Sequence, residues 1–153
     1  VDIYLPDLKY GSSEPAERYS HAPDYSETAS AAIAEMVRQA PEAVFEERED
    51  GTVLMKRGVI VRHLMLPGLG MDSRKVLRYL HETYGNRIYV SIMNQYTPMR
   101  SFESFPELNR RVSRKSYERL VDFAIRIGIE NGFIQEGGTA EESFVPLWDG
   151  TGL

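Results

Sequence analysis

The sequence predicts an α/β fold: a partial (β/α) barrel fragment of about three to four mainly parallel strands, with crossover helices and one β-hairpin excursion. Apolar, β-branched runs alternate three times with segments of helical period. Such an order requires a parallel sheet, because each crossover helix returns the chain to the same edge. The chain has 153 residues, whereas a closed barrel of this kind takes about eight strands and about 250 residues.

The elements follow in chain order. Residues 2–8 read as a buried strand, with Pro6 marking a strand end or bulge. Residues 10–25 keep no period and are rich in Gly, Ser, Pro and Tyr, which predicts a long functional loop. Asp24 and Glu27 mark a helix entry; Ala29, Ile33, Met36, Val37 and Ala40 share one helical face, and Pro41 stops the helix. Residues 43–49 and 52–56 flank Asp50-Gly51, a pair suited to a type I′ hairpin turn. Residues 59–66 read as a buried parallel strand ended by Pro67-Gly68. Asp72 is then placed to cap a helix carrying Val76, Leu77, Leu80 and Tyr84, closed by Gly85. Residues 88–96 form the next strand. Ser113 opens a helix with Leu120, Val121, Ala124 and Ile125, closed by Gly128, and residues 133–136 make a short last strand. The barrel portion is thus residues 1–136, followed by a tail, 137–153, expected to be mostly loop.

Composition narrows the function. The net charge of -5 comes from mixed acids and bases, with no basic block to track a phosphate backbone, so nucleic acid is not an expected partner. No apolar run approaches the roughly 20 residues that cross a bilayer, and no leader opens the chain, so the expectation is a soluble, cytoplasmic protein with no membrane partner. The chain contains no cysteine, which leaves it no ligands of its own for a disulfide, a thiolate zinc site or a cysteine-held iron-sulfur cluster. A strand pattern that begins at Val1 without an initiating Met leads to the expectation that the sequence was cut from a longer one.

In α/β sheets and barrels, functional groups gather where strands end. Asp7 and Lys9, Arg62 and His63, and Asn94, Gln95 and Tyr96 occupy such positions. Side chains two apart share a strand face, so Asp7 and Lys9 continue the face of Ile3 and Leu5, and Arg62 shares that of Ile60 and Leu64. If both faces line one concavity, a carboxylate and two cations meet there, a set suited to a ligand with a carboxylate and a ribose. The competing reading is a structural ion pair of Asp7 with Lys9 or Arg62. His21, His63 and His81 lack metal-ligand spacing and read as ordinary histidines. Tyr4, Tyr10, Tyr19 and Tyr25 are either a substrate wall or rings packed on the sheet rim. Gly68 and Gly70 do not complete a dinucleotide fingerprint.

Three stretches in order, IYLPDLKY from Ile3, RGVIVRHLMLPG from Arg57 and VSIMNQYTP from Val90, resemble the carboxyl-terminal portion of radical S-adenosylmethionine (SAM) proteins related to pyruvate formate-lyase activating enzyme, especially its bacterial and archaeal relatives. AEMVRQ, from Ala34, fits the same pattern. The resemblance implies an oxidoreductase with a partial (β/α) barrel that holds a 4Fe-4S cluster and SAM, cleaves SAM reductively to a 5′-deoxyadenosyl radical and abstracts hydrogen from a substrate. In activating enzymes that substrate is a backbone glycine of a glycyl radical enzyme; a small-molecule substrate is the other expectation. Carried over, Asp7, Lys9 and Arg62 match SAM-contacting positions. Gln95 stands in the Gln95-Tyr96-Thr97 that replaces the family's Pro-Tyr-His. The CxxxCxxC motif that holds the cluster has no counterpart in this chain. The expectation is therefore a fragment that is catalytically silent alone and that partners the amino-terminal half of its parent barrel. Its exposed first strand edge invites self-association. Two alternatives stand beside this: a non-catalytic α/β domain that binds a small ligand or partner, and a Schiff-base lyase or aldolase using Lys9.

Overall fold

The computed structural model describes residues 2–94, 111–135 and 144–146. Strand β1 (Ile3–Tyr4) leads through helices α1 (Ser13–Ser20) and α2 (Tyr25–Gln39) into a hairpin of β2 (Val44–Glu47) and β3 (Val53–Leu64). Helix α3 (Gly70–Tyr84), a 3-10 turn (Gly85–Arg87), β4 (Tyr89–Met93), α4 (Arg114–Ile127), β5 (Gly132–Gln135) and β6 (Phe144–Pro146) complete it. The sheet order is β1-β3-β4-β5-β6. The β1-β3, β3-β4 and β4-β5 pairs are parallel, while β2 pairs antiparallel with the first half of β3 and β6 antiparallel with β5. The architecture is α/β with a mostly parallel sheet, as the alternating pattern requires.

All three crossover segments lie on one face of that sheet. Ile33 and Val37 of α2, Val76, Leu77 and Leu80 of α3, and Tyr117, Leu120 and Ala124 of α4 pack with Val59, Val61, Val90 and Ile92 in one core. Burial alternates along β3: Val59, Val61 and His63 are buried, while Ile60 and Leu64 are only half-buried and Arg62 is exposed. Among the described residues helices thus cover the strand on one side only, whereas parallel strands usually carry them on both. Cross-strand register puts Ile60 beside Tyr89, Arg62 beside Ser91 and Leu64 beside Met93 on the second face, with Phe133 beside Ser91. This face carries no helix among the described residues.

Several local expectations need correction. Residues 10–25 are not one loop: Ser13–Ser20 is helical. The helix closes on His21 in the left-handed region (φ 52), whose N–H reaches the Ala16 and Glu17 carbonyls, so the chain stop that glycine usually provides comes from histidine. The hairpin turn is not type I′, which needs positive φ at both central residues. Only Gly51 (φ 88) has it, and the Gly51 N–H bonds to the Arg48 carbonyl while Asp50 Oδ1 accepts from the Thr52 amide and hydroxyl. Asp72 does not cap α3. It lies within the first turn and turns its Oδ2 to the Gly11 amide at 3.0 Å. Ser113 does cap α4, accepting from the Ser116 amide at 3.1 Å. The tail contributes strand β6, and Gln95 lies outside the described residues.

Leu77 and Leu80 have no exposed surface. Truncating either to alanine is expected to destabilise the fold by about 2–5 kcal/mol, read as a lower urea midpoint at unchanged slope.

Candidate functional site

The site begins with an interruption. Pro6 has no N–H, and β1 ends at Tyr4, yet the chain stays against β3: the Arg62 amide donates to the Pro6 carbonyl at 2.8 Å and the Leu8 amide to the Arg62 carbonyl at 2.9 Å. Leu8, 2% exposed, points into the core. Its neighbours Asp7 and Lys9 are exposed, as alternation about a buried residue requires. Asp7 and Arg62 are paired across the strands, and Arg62 Nε and Nη2 donate to Asp7 Oδ1 and Oδ2 at 2.7 and 3.2 Å. The pair sits at the carboxyl ends of parallel strands, on the face that carries no helix among the described residues.

Two polar side chains fix this segment from opposite sides. His63 Nδ1 lies 2.7 Å from the Leu8 carbonyl and Nε2 lies 2.8 Å from Ser73 Oγ of α3. A carbonyl only accepts, so Nδ1 carries the proton and the Ser73 hydroxyl donates to Nε2. The Tyr25 hydroxyl, from the first turn of α2, donates to the Asp7 carbonyl at 3.1 Å and accepts from the Lys9 amide at 3.0 Å. Burial pushes the Tyr25 hydroxyl above the usual phenol range, against the lowering effect of the Lys9 amide. His63, 1% exposed, is likewise held neutral: burial moves it below the usual histidine value, outweighing the Leu8 carbonyl and the Asp72 carboxylate.

The sequence-derived site residues thus divide. Asp7 and Arg62 meet directly. Lys9 follows on the same face, exposed, and its ammonium makes no hydrogen bond or ion pair among the described residues. Gln95 lies outside them. Both readings of Asp7 are compatible with this geometry, since the pair is an ion pair and also lies where a ligand would be met. At 45% and 43% exposure such a pair contributes about 0.2–1 kcal/mol to the fold, so it is removable without unfolding the protein. The tyrosines pack on the rim: Tyr10 is buried against Tyr25 edge-on at 5.4 Å, Tyr4 bonds Gln39, and Tyr19 stacks with Arg18. His63 and Tyr25 are the positioning residues that spacing alone missed. Among the described residues no cluster of acids and histidines could hold a metal ion, and no helix is long and apolar enough to cross a membrane.

No family model matches the chain, and no solved structure matches it. The chain is similar to the uncharacterized protein MJ0674 of Methanocaldococcus jannaschii, 26% identical over 132 residues. The match takes in 85% of this chain and 33% of the archaeal protein, so the chain spans about a third of that relative's length.

Because His63 is neutral in the fold, the unfolded chain takes up a proton first as pH falls below about 6.5, and unfolding is favoured there. The melting temperature is expected to drop between about pH 7 and about pH 5, and less steeply in His63→Gln. Tyr25→Phe, which removes both hydrogen bonds to the Asp7-Lys9 segment, should cost about 1 kcal/mol in denaturant unfolding.

Proposed function

We propose that the chain is the SAM-binding, carboxyl-terminal part of a cytoplasmic radical SAM enzyme related to pyruvate formate-lyase activating enzyme, and that Asp7, Lys9 and Arg62 bind and orient SAM. The observation that carries this reading is the meeting of Asp7 and Arg62 on the open face, with Lys9 next to Asp7 in the alternation. SAM has an amine, a carboxylate and ribose hydroxyls. Asp7 offers acceptors for the amine or hydroxyls, and the two cations offer donors for the carboxylate. An existing Asp7-Arg62 pair holds both groups in place, and an incoming amino acid zwitterion exchanges one charged partner for another without leaving either uncompensated.

The residues present do not fit an iron-sulfur cluster, because the 153 residues include no cysteine. In this reading the cluster belongs to a part of the protein outside this sequence. The match to about a third of a longer relative supports a parent with room for such a part, which would cover the open face. Within the parent, this chain's task is to bind, orient and keep water from SAM; the substrate, a glycyl radical enzyme or a small molecule, meets the other half as well. Alone, the chain is expected to be inactive and, through the β1 edge, to self-associate.

The test is SAM binding by equilibrium dialysis to a longer protein that contains this chain, reconstituted anaerobically with iron and sulfide. Arg62→Ala and Lys9→Ala should each weaken binding at least about tenfold, a loss of about 1.4 kcal/mol, with the melting temperature nearly unchanged. Unaltered affinity in both variants removes the site assignment, and failure to release 5′-deoxyadenosine on reduction removes the activity.

A further inference from the structure

A second concavity lies on the other side of the sheet, in the helical layer. It has a volume of about 440 Å³ and opens where β3 ends, between the first turns of α3 and α4. Arg74, Arg111 and Arg119 line it together with Ser113 and Ser116, and among the described residues no carboxylate does. The three arginines come from three places: α3, the approach to α4 and α4 itself. In a chain of net charge -5, a concavity whose charged lining among the described residues is all cationic runs against the overall balance.

A separate observation concerns how Arg74 is held. Its guanidinium lies 5.4 Å from the centre of the Phe123 ring, and that of Arg78 lies 5.3 Å from the same ring. Two guanidinium groups gathered on one ring repel each other, and among the described residues neither is paired with an acid. Nor is Arg111 or Arg119. Charges of one sign held together, with no acidic partner among the described residues, favour an anion between them.

We propose that this cleft binds the phosphate group of a small molecule, held by Arg74, Arg111 and Arg119. A tetrahedral phosphate has enough acceptor oxygens for several planar guanidinium forks, whereas a carboxylate is filled by one. Ser116 adds a donor: Ser113 Oγ donates to Ser116 Oγ at 2.8 Å, which leaves the Ser116 proton to point elsewhere. The positive end of α4, a helix of 14 residues, adds to the same field. A larger cleft of about 800 Å³ adjoins, sharing Pro67, Gly68, Met71 and Arg74, and it brings Tyr19 and Phe123 to where the organic part of a phosphomonoester would extend. The site is independent of Asp7 and Arg62, which lie on the opposite face.

Calorimetric titration of the chain with inorganic phosphate and with phenyl phosphate, at matched ionic strength in chloride, tests this. At least one probe should bind with a Kd below about 1 mM, and Arg111→Gln with Arg119→Gln should weaken that binding at least about tenfold, because charge-assisted bonds to phosphate are lost. Arg48→Gln with Arg126→Gln removes the same charge from outside the cleft and should leave binding within about twofold. Tighter binding of phenyl phosphate would identify an ester as the ligand, and tighter binding of phosphate the free ion. Absence of binding by both probes overturns the proposal, as does an equal loss in the two double variants.

Discussion

One buried imidazole holds together the part of the fold on which the rest turns. His63 bonds the Leu8 carbonyl on one side and the Ser73 hydroxyl on the other, joining the first strand's continuation, the central strand and helix α3. The constraint is strict, because a buried polar group without a partner costs about 1–3 kcal/mol. The imidazole must keep both bonds or leave the core, and the backbone at Leu8 must stay where its carbonyl can accept. With Leu8 fixed and inward, strand alternation leaves Asp7 and Lys9 facing the other way, toward Arg62. A helix-side interaction therefore determines the geometry of the open face.

That open face explains the sidedness of the molecule. Helices α2, α3 and α4 bury one surface of the sheet, and the other, which carries no helix among the described residues, presents half-buried apolar residues, such as Ile60, Leu64 and Tyr89, and the buried Ser91 around a charged pair. A face of this composition suits the wall of a larger cavity better than a water-washed surface, since apolar area left exposed forgoes about 25 cal/mol for each Å².

Much of this was legible in the sequence. The parallel sheet followed from the alternation of strand-like and helical periods, and α2, α3 and α4 followed from apolar faces such as Ile33, Met36 and Val37, with stops at Pro41, Gly85 and Gly128. Short or unusually terminated elements leave a weaker trace in the sequence. Helix α1 has eight residues, of which only Pro15 and Ala16 are buried, and stops at a left-handed His21, so it lacks the glycine that marks many helix ends. Asp72 looked like a helix cap because residue type and position fit, but its carboxylate serves the Gly11 amide, 61 residues away in sequence. The meeting of Arg62 and Asp7 follows from periodic strand spacing; His63 and Tyr25 stand out in the sequence only as an ordinary histidine and a rim tyrosine, because their positioning roles depend on tertiary partners that no local pattern encodes.

The same division applies to the arginine-lined cleft. Its residues are separated by up to 45 positions in sequence and belong to different elements, so no motif unites Arg74, Arg111 and Arg119. Only the packing of α3 beside α4 gathers them.

Amide hydrogen exchange at Leu8 tests the account most directly. If His63 and Arg62 pin this residue, its amide exchanges with the slowest group, alongside the amides of the central strands, although it lies beyond the last residue of β1. Exchange at the rate of a surface loop would contradict the account, since Asp7 and Lys9 would then have no fixed face.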